Sequence, residues 1–120
     1  PKENNCIFLS SHEPCSLCLS AIAFSGFDNF YYLFPYQSTS DDFNIPHDLK
    51  ILKEVFKINN GEYVKDNYYW KSHSILESIS ELQDPHKEKL LKKVRKIRDL
   101  YGNLSELYQS SKISNNIPLN

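Results

Sequence analysis

The residues with the most evident chemistry are two cysteines three positions apart, Cys15 and Cys18, directly after Pro14. The apolar run 6–9 precedes them, and the small-residue run 19–23 follows. Because proline suits the first turn of a helix, we predict that both cysteines lie at the start of a helix, with their sulfurs on the same side. Two thiolates at this spacing form half of a tetrahedral zinc site.

The same spacing has other uses, because redox pairs and structural zinc sites share it. Free N–H groups and the helix dipole at a helix start lower thiol pKa values, which favours thiolates. His12 lies three positions before Cys15 and is therefore an alternative metal ligand. Glu13 is a candidate general acid or base by residue type.

The stretch Glu13-Pro14-Cys15-x-x-Cys18, after an apolar strand and at the start of a helix, resembles a known signature. It is similar to the second half of the zinc signature of the cytidine/deoxycytidylate deaminase family, H-x-E followed later by P-C-x-x-C. The apolar run 30–34 fits the next strand of that family. The resemblance covers roughly the first third of the chain.

The resemblance implies a cytidine-deaminase-like α/β/α sandwich and zinc as the cofactor. Cys15, Cys18 and one upstream His or Cys would hold the metal, and His12 would not be a ligand. The implied reaction is hydrolytic deamination of a cytosine-, adenine- or guanine-type base, nucleoside or nucleotide. Glu13 would be structural, with its backbone carbonyl toward the amine of the bound base.

The other half of the signature, H-x-E, is not found before the first strand, because the sequence starts at Pro1. We therefore expect the third ligand and the catalytic Glu upstream of Pro1, and no catalytic residue in this chain. Residues 1–110 would be the C-terminal part of a deaminase-like domain, incomplete at its N-terminus and inactive alone. It would consist of a zinc-site βαβα core, 1–57, a helical extension, 58–110, and a tail, 111–120.

The elements that must position the cysteines form a predicted βαβ unit, whose two strands should be parallel. The loop after its second strand is either a ligand loop, because ligands bind at that edge of an α/β sheet, or a solvated connection. We interpret Cys6 as a packed thiol in the first strand. The predicted elements are strand 5–11, helix 15–25, strand 29–34, loop 35–46, helix 47–57, turn 59–61, extended piece 62–66, helix 73–83 and a long helix with Asp84 as its N-cap.

Two further patterns lie in the second half of the chain. The aromatic cluster 68–70 indicates core or subunit packing, with base stacking as the alternative. The long helix carries a coiled-coil-like apolar seam and a basic run, which is typical of a solvated face, with RNA contact as the alternative. The seam is Leu90, Val94, Ile97, Tyr101, Leu104 and Tyr108, and the basic run is Lys87, Lys89, Lys92, Lys93, Arg95, Lys96 and Arg98.

Composition limits the partners. A net charge of -1 over 120 residues gives no general attraction to nucleic acid or to an anionic membrane. The three cysteines favour a reducing cytoplasm over a disulfide framework. We expect a small-molecule substrate and, because few strands leave apolar surface uncovered, a homodimer or higher homo-oligomer. The rival classes are a non-catalytic zinc or interaction module with four ligands and an RNA-editing deaminase.

Overall fold

The computed structural model describes residues 5–119; the ends of the predicted domain and tail, 1–4 and 120, lie outside them. The described chain is a mixed α/β protein with a parallel sheet in the order β1-β2-β3. The strands are Leu9–His12 (β1), Asn29–Phe34 (β2) and Lys71–Ser74 (β3). The helices are Ser16–Phe24 (α1), Tyr36–Asp41 (α2), His47–Phe56 (α3), Ile75–Ser80 (α4) and His86–Ser111 (α5), with 3-10 turns at Asn59–Gly61 and Lys112–Ser114.

The predicted βαβ unit is confirmed. Strand β1 pairs with β2 in parallel, with Leu9 beside Tyr31, and α1 makes the crossover between them. Gly26 follows α1 with φ at 81°, a left-handed conformation that glycine adopts without strain and that ends the helix. The start of α1 therefore lies at the carboxyl end of β1.

Strand β2 is the centre of the core. Phe30 and Tyr32 pack on one side with residues of α1 and with Trp70. Leu33 packs on the other side with residues of α4 and α5, because successive side chains of a strand point to opposite faces. This double burial explains why β2 is a continuous apolar run.

Strand β1 differs from its prediction. It begins at Leu9 and not at residue 5, and the side chains of Ile7 and Leu9 are largely exposed. Cys6 is exposed, so our interpretation of it as a packed thiol is wrong. The reason is position: β1 is the edge strand of the described sheet and has β2 as its one neighbour there.

Two other predictions need correction, those for 35–46 and 73–83. The predicted loop 35–46 contains α2, which has Pro35 at its N-cap. The predicted extended piece 62–66 forms no regular strand and makes one isolated antiparallel bridge, from Asp66 to Lys71. The predicted helix 73–83 is the strand β3 followed by α4, and the Ser74 Oγ caps α4 by accepting from the Glu77 N–H at 3.3 Å.

Helix α5 is continuous through Gly102, and it begins at His86, with Pro85 in place of the predicted Asp84 at the N-cap. Val94 is buried with Leu90, Ile97 and Tyr101 packed around it. The C-terminal end of the predicted seam is more exposed than the part around Val94. The reason is length: a helix of 26 residues extends roughly 39 Å, well past strands of four to six residues. No helix among residues 5–119 is long and apolar enough to cross a membrane.

We predict that two leucines on helices differ sharply in their effect on stability. Leu52 is 2 % exposed, so Leu52→Ala should lower the free energy of unfolding by about 2–5 kcal/mol through lost burial and a cavity. Leu107 is 68 % exposed, so Leu107→Ala should change it by less than about 0.5 kcal/mol. Urea unfolding of both variants measures the difference, and equal effects would contradict this core.

Candidate metal centre

The two predicted ligands lie side by side. Cys15 is the N-cap residue of α1, and Cys18 lies one turn later, which brings their sulfurs to 3.4 Å. Two thiolates bound to one tetrahedral zinc at about 2.3 Å each lie roughly 3.8 Å apart. A small rotation of either side chain therefore suffices for both sulfurs to bind one metal ion.

The protonation of the pair depends on this closeness. Partial burial, followed by the hydrogen bond and the charge of Cys15, raises the pKa of the Cys18 thiol. Our expectation of a lowered thiol pKa is therefore wrong for Cys18, because partial burial and the neighbouring Cys15 together outweigh the effect of the helix start. A bound divalent cation would favour both thiolates at once.

His12 points away from this pair. Its ring lies 4.8 Å from the ring of Tyr101 and 5.3 Å from that of Phe34, and burial lowers its pKa. Residues 5–119 contain no group of three His, Cys, Asp or Glu side chains arranged to hold a metal ion. The described chain therefore offers two thiols at the centre and does not join His12 to them.

Glu13 is buried, and its carboxylate is fully engaged by the protein. Oε2 accepts from the backbone N–H of Tyr36 at 3.0 Å, and Oε1 accepts from the hydroxyl of Tyr63 at 2.8 Å and from the ammonium of Lys65. The Glu13 N–H donates to the carbonyl of Phe34 at 2.8 Å. Glu13 therefore acts as a structural anchor, since no oxygen of its carboxylate lacks a donor.

This anchor holds the turn that leads into the cysteines. The hydroxyl of Tyr36 donates to the carbonyl of Pro14, the residue before Cys15. Tyr36 thus contacts both Glu13, through its backbone, and Pro14, through its ring. The start of α2 fixes the start of α1.

The surroundings of the Glu13 carboxylate keep the hydroxyls of the neighbouring tyrosines protonated. Burial, with the charge of Glu13 as a smaller cause, raises the pKa of Tyr32 to about 12. The pKa values of Tyr36 and Tyr63 are raised further, mainly by burial. The Lys65 ammonium lies 3.5 Å from the centroid of the Tyr63 ring, which places a cation over an electron-rich face.

Sequence reasoning missed four residues of this region: Tyr36, Asp48, Tyr63 and Lys65. Tyr63 and Lys65 are two apart in an extended segment, so their common side was readable from a period of two. Asp48, in the first turn of α3, is half-buried, and this burial raises its pKa. Its charge also raises the pKa of Cys18, so α3 contributes a carboxylate to the surroundings of the thiols.

Comparisons with protein-family models, with curated proteins and with solved structures find no match for this chain.

We predict a delayed ionisation of three of the eight tyrosines, Tyr32, Tyr36 and Tyr63. Their folded-state pKa values lie above the unfolded value of about 10, so their contribution to stability is complete below that pH. It is lost as the pH rises through the pKa of Tyr32, about 12. In a phenolate absorbance titration the three should ionise only with unfolding.

Two single substitutions test the assignment. Tyr32→Phe should leave two delayed phenols, whereas Tyr68→Phe, at an exposed position, should leave three. Ionisation of all the tyrosines in one step, with the far-ultraviolet circular dichroism still native, would contradict the buried network.

Proposed function

We propose that this chain is the part of a cytoplasmic zinc-dependent deaminase that carries two of the metal ligands, Cys15 and Cys18. Its reaction would be the hydrolytic removal of an amine from a cytosine-, adenine- or guanine-type base, nucleoside or nucleotide. The observation that supports this most strongly is the pair of sulfurs 3.4 Å apart, at a helix start on the carboxyl edge of a parallel sheet. Ligands bind at that edge in α/β proteins.

The donor set fits zinc. Two thiolates are soft ligands that select zinc over magnesium or calcium, and they leave two positions of a tetrahedron free. In this proposal, an upstream His or Cys outside residues 5–119 would occupy one of the two free positions, and water would occupy the other. When bound, zinc would lower the pKa of that water into the neutral range. The catalytic Glu of H-x-E would likewise come from outside the described residues.

The residues of this chain have positioning roles in the proposal. Cys15 and Cys18 hold the metal. Glu13, with Tyr36, fixes the turn before them, which keeps both thiols aimed at one point. Orienting groups around metal ligands commonly change metal affinity strongly when they are removed.

One observation favours RNA as a second candidate substrate. Lys89, Lys92, Lys93 and Lys96 of α5 are exposed and form no ion pair with any residue among 5–119, whereas Arg95 pairs with Glu88. Free surface lysines can contact phosphates. A closed zinc site without catalysis is the third alternative, and it would need two ligands besides the cysteines.

We predict that the full-length protein binds about one zinc per chain. Cys15→Ala or Cys18→Ala should remove both the zinc and the deaminase activity, because either leaves one thiolate. Cys6→Ala is the matched control: Cys6 is also a free, exposed thiol, but it lies outside the centre. Metal analysis after dialysis measures the result. Stoichiometric zinc in a variant that carries both Cys15→Ala and Cys18→Ala would exclude these cysteines as the zinc ligands.

We also predict that reversing Lys92, Lys93 and Lys96 to Glu leaves turnover of a small substrate largely unchanged, because these side chains point to water. The control with the same charge change is Lys50, Lys53 and Lys57 to Glu, on and just after α3. A selective loss of activity on RNA in the α5 variant, with mononucleotide activity kept, would replace the small-molecule proposal with RNA editing.

A further inference from the structure

The two thiols of the candidate metal centre are placed so that they can also bond to each other. Both are free thiols, and their sulfurs lie 3.4 Å apart. A disulfide needs a sulfur–sulfur length of about 2.05 Å and Cα atoms about 4.4–6.8 Å apart. Residues three apart in a helix have Cα atoms separated by roughly 5 Å. A closure of the sulfurs by roughly 1.4 Å would therefore join Cys15 to Cys18 without unwinding α1.

The two thiols differ in exposure in the way that thiol–disulfide exchange requires. Exchange begins at a sulfur that a second molecule can reach, and it ends when a neighbouring thiol attacks the mixed disulfide. Cys18 is exposed, and Cys15 beside it is half-buried. An accessible cysteine next to a resolving one is typical of redox-sensitive sites. Cys18 therefore suits the first step, and Cys15 suits the second.

The third cysteine of the chain has the exposure of Cys18 without its neighbour. Cys6 is a free, exposed thiol. It lies before β1, whereas Cys15 follows β1, so a strand of four residues separates Cys6 from the pair. A small disulfide that reacts with Cys6 should therefore stay attached to it, which makes Cys6 the internal reference for reactivity.

We propose that Cys15 and Cys18 form a reversible dithiol–disulfide pair that a small-molecule disulfide oxidises. The Cys18 sulfur loses its proton and attacks one sulfur of the small disulfide, whose S–S bond breaks and releases one small thiol. The Cys15 sulfur then loses its proton and attacks the Cys18 sulfur, which forms the Cys15–Cys18 bond and releases the second small thiol. The cysteines lose two electrons and two protons in all, and the small disulfide gains them.

This oxidation would switch off the proposed metal centre. Zinc binds thiolates, so a bond between Cys15 and Cys18 removes both ligands that this chain supplies. Reduction by small thiols restores them. The regulatory consequence rests on the proposed function, whereas the oxidation of the pair does not. A bound zinc ion and the Cys15–Cys18 bond therefore exclude each other at this site.

Mass spectrometry after exchange with glutathione disulfide tests the pair. The full-length protein is freed of metal with a chelator, treated with glutathione disulfide, alkylated to block free thiols and cleaved at lysine. Residues 3–50 then form one peptide with all three cysteines of this chain. In a Cys6→Ala variant this peptide should carry neither an alkyl nor a glutathionyl group. Reduction with excess reduced glutathione before alkylation should give two alkyl groups.

Cys15→Ser in the Cys6→Ala background is the matched variant. It keeps the exposed Cys18 and removes the thiol that resolves the mixed disulfide. The fraction of Cys18 with a glutathionyl group should rise roughly tenfold or more, because the resolving step within one chain has a high effective concentration. Cys6 of the wild type should keep its glutathionyl group in the same way.

Two results would overturn the proposal. One is a Cys6→Ala peptide that keeps a glutathionyl group, and the other is a pair that stays reduced while Cys6 of the wild type reacts. Zinc released from the metal-loaded protein is measured in parallel, to test the proposed function separately. Zinc release that accompanies the disulfide supports both proposals. A disulfide that forms in protein without bound zinc would contradict the zinc assignment and support the redox pair.

Discussion

The buried carboxylate of Glu13 is the constraint on which the rest of this structure depends. Removing a charge from water is expensive by several kcal/mol unless partners satisfy it. Here the partners come from two other parts of the chain: the backbone of Tyr36 and the side chains of Tyr63 and Lys65. Lys65 is 52 residues from Glu13 in sequence. The need to satisfy one carboxylate therefore joins the end of β1, the start of α2 and the segment before β3.

This junction explains why the thiol pair is placed so firmly. Pro14 and Cys15 follow Glu13 directly, and the hydroxyl of Tyr36 holds the carbonyl of Pro14. A turn fixed on both sides can keep the two sulfurs 3.4 Å apart, although burial and the nearness of Cys15 raise the pKa of Cys18. The protein thus fixes the geometry of the thiol pair. The positive charge that favours both thiolates would come from a bound cation.

The sequence predicted the βαβ unit because its apolar runs are local and continuous, as in 30–34. It also predicted the helix start at the cysteines, since proline and spacing act within one turn. It did not reveal β3, since Lys71–Ser74 has no apolar residue and is a strand only through its pairing with β2. The partners of Glu13 could not be predicted either, because a contact across 52 residues depends on the packed fold.

The exposed apolar residues of α1 and α5 have different physical meanings. On α5, Leu100, Leu104 and Leu107 are exposed on a helix rich in charged residues, and scattered apolar side chains among charges are normal on a protein surface. On α1 no charged side chain accompanies Leu17 and Phe24, and the exposed polar residue between them is the neutral Ser20. The distribution of charge, more than the number of exposed leucines, therefore distinguishes the two helices: exposed apolar side chains lie among charged ones on α5 and without them on α1.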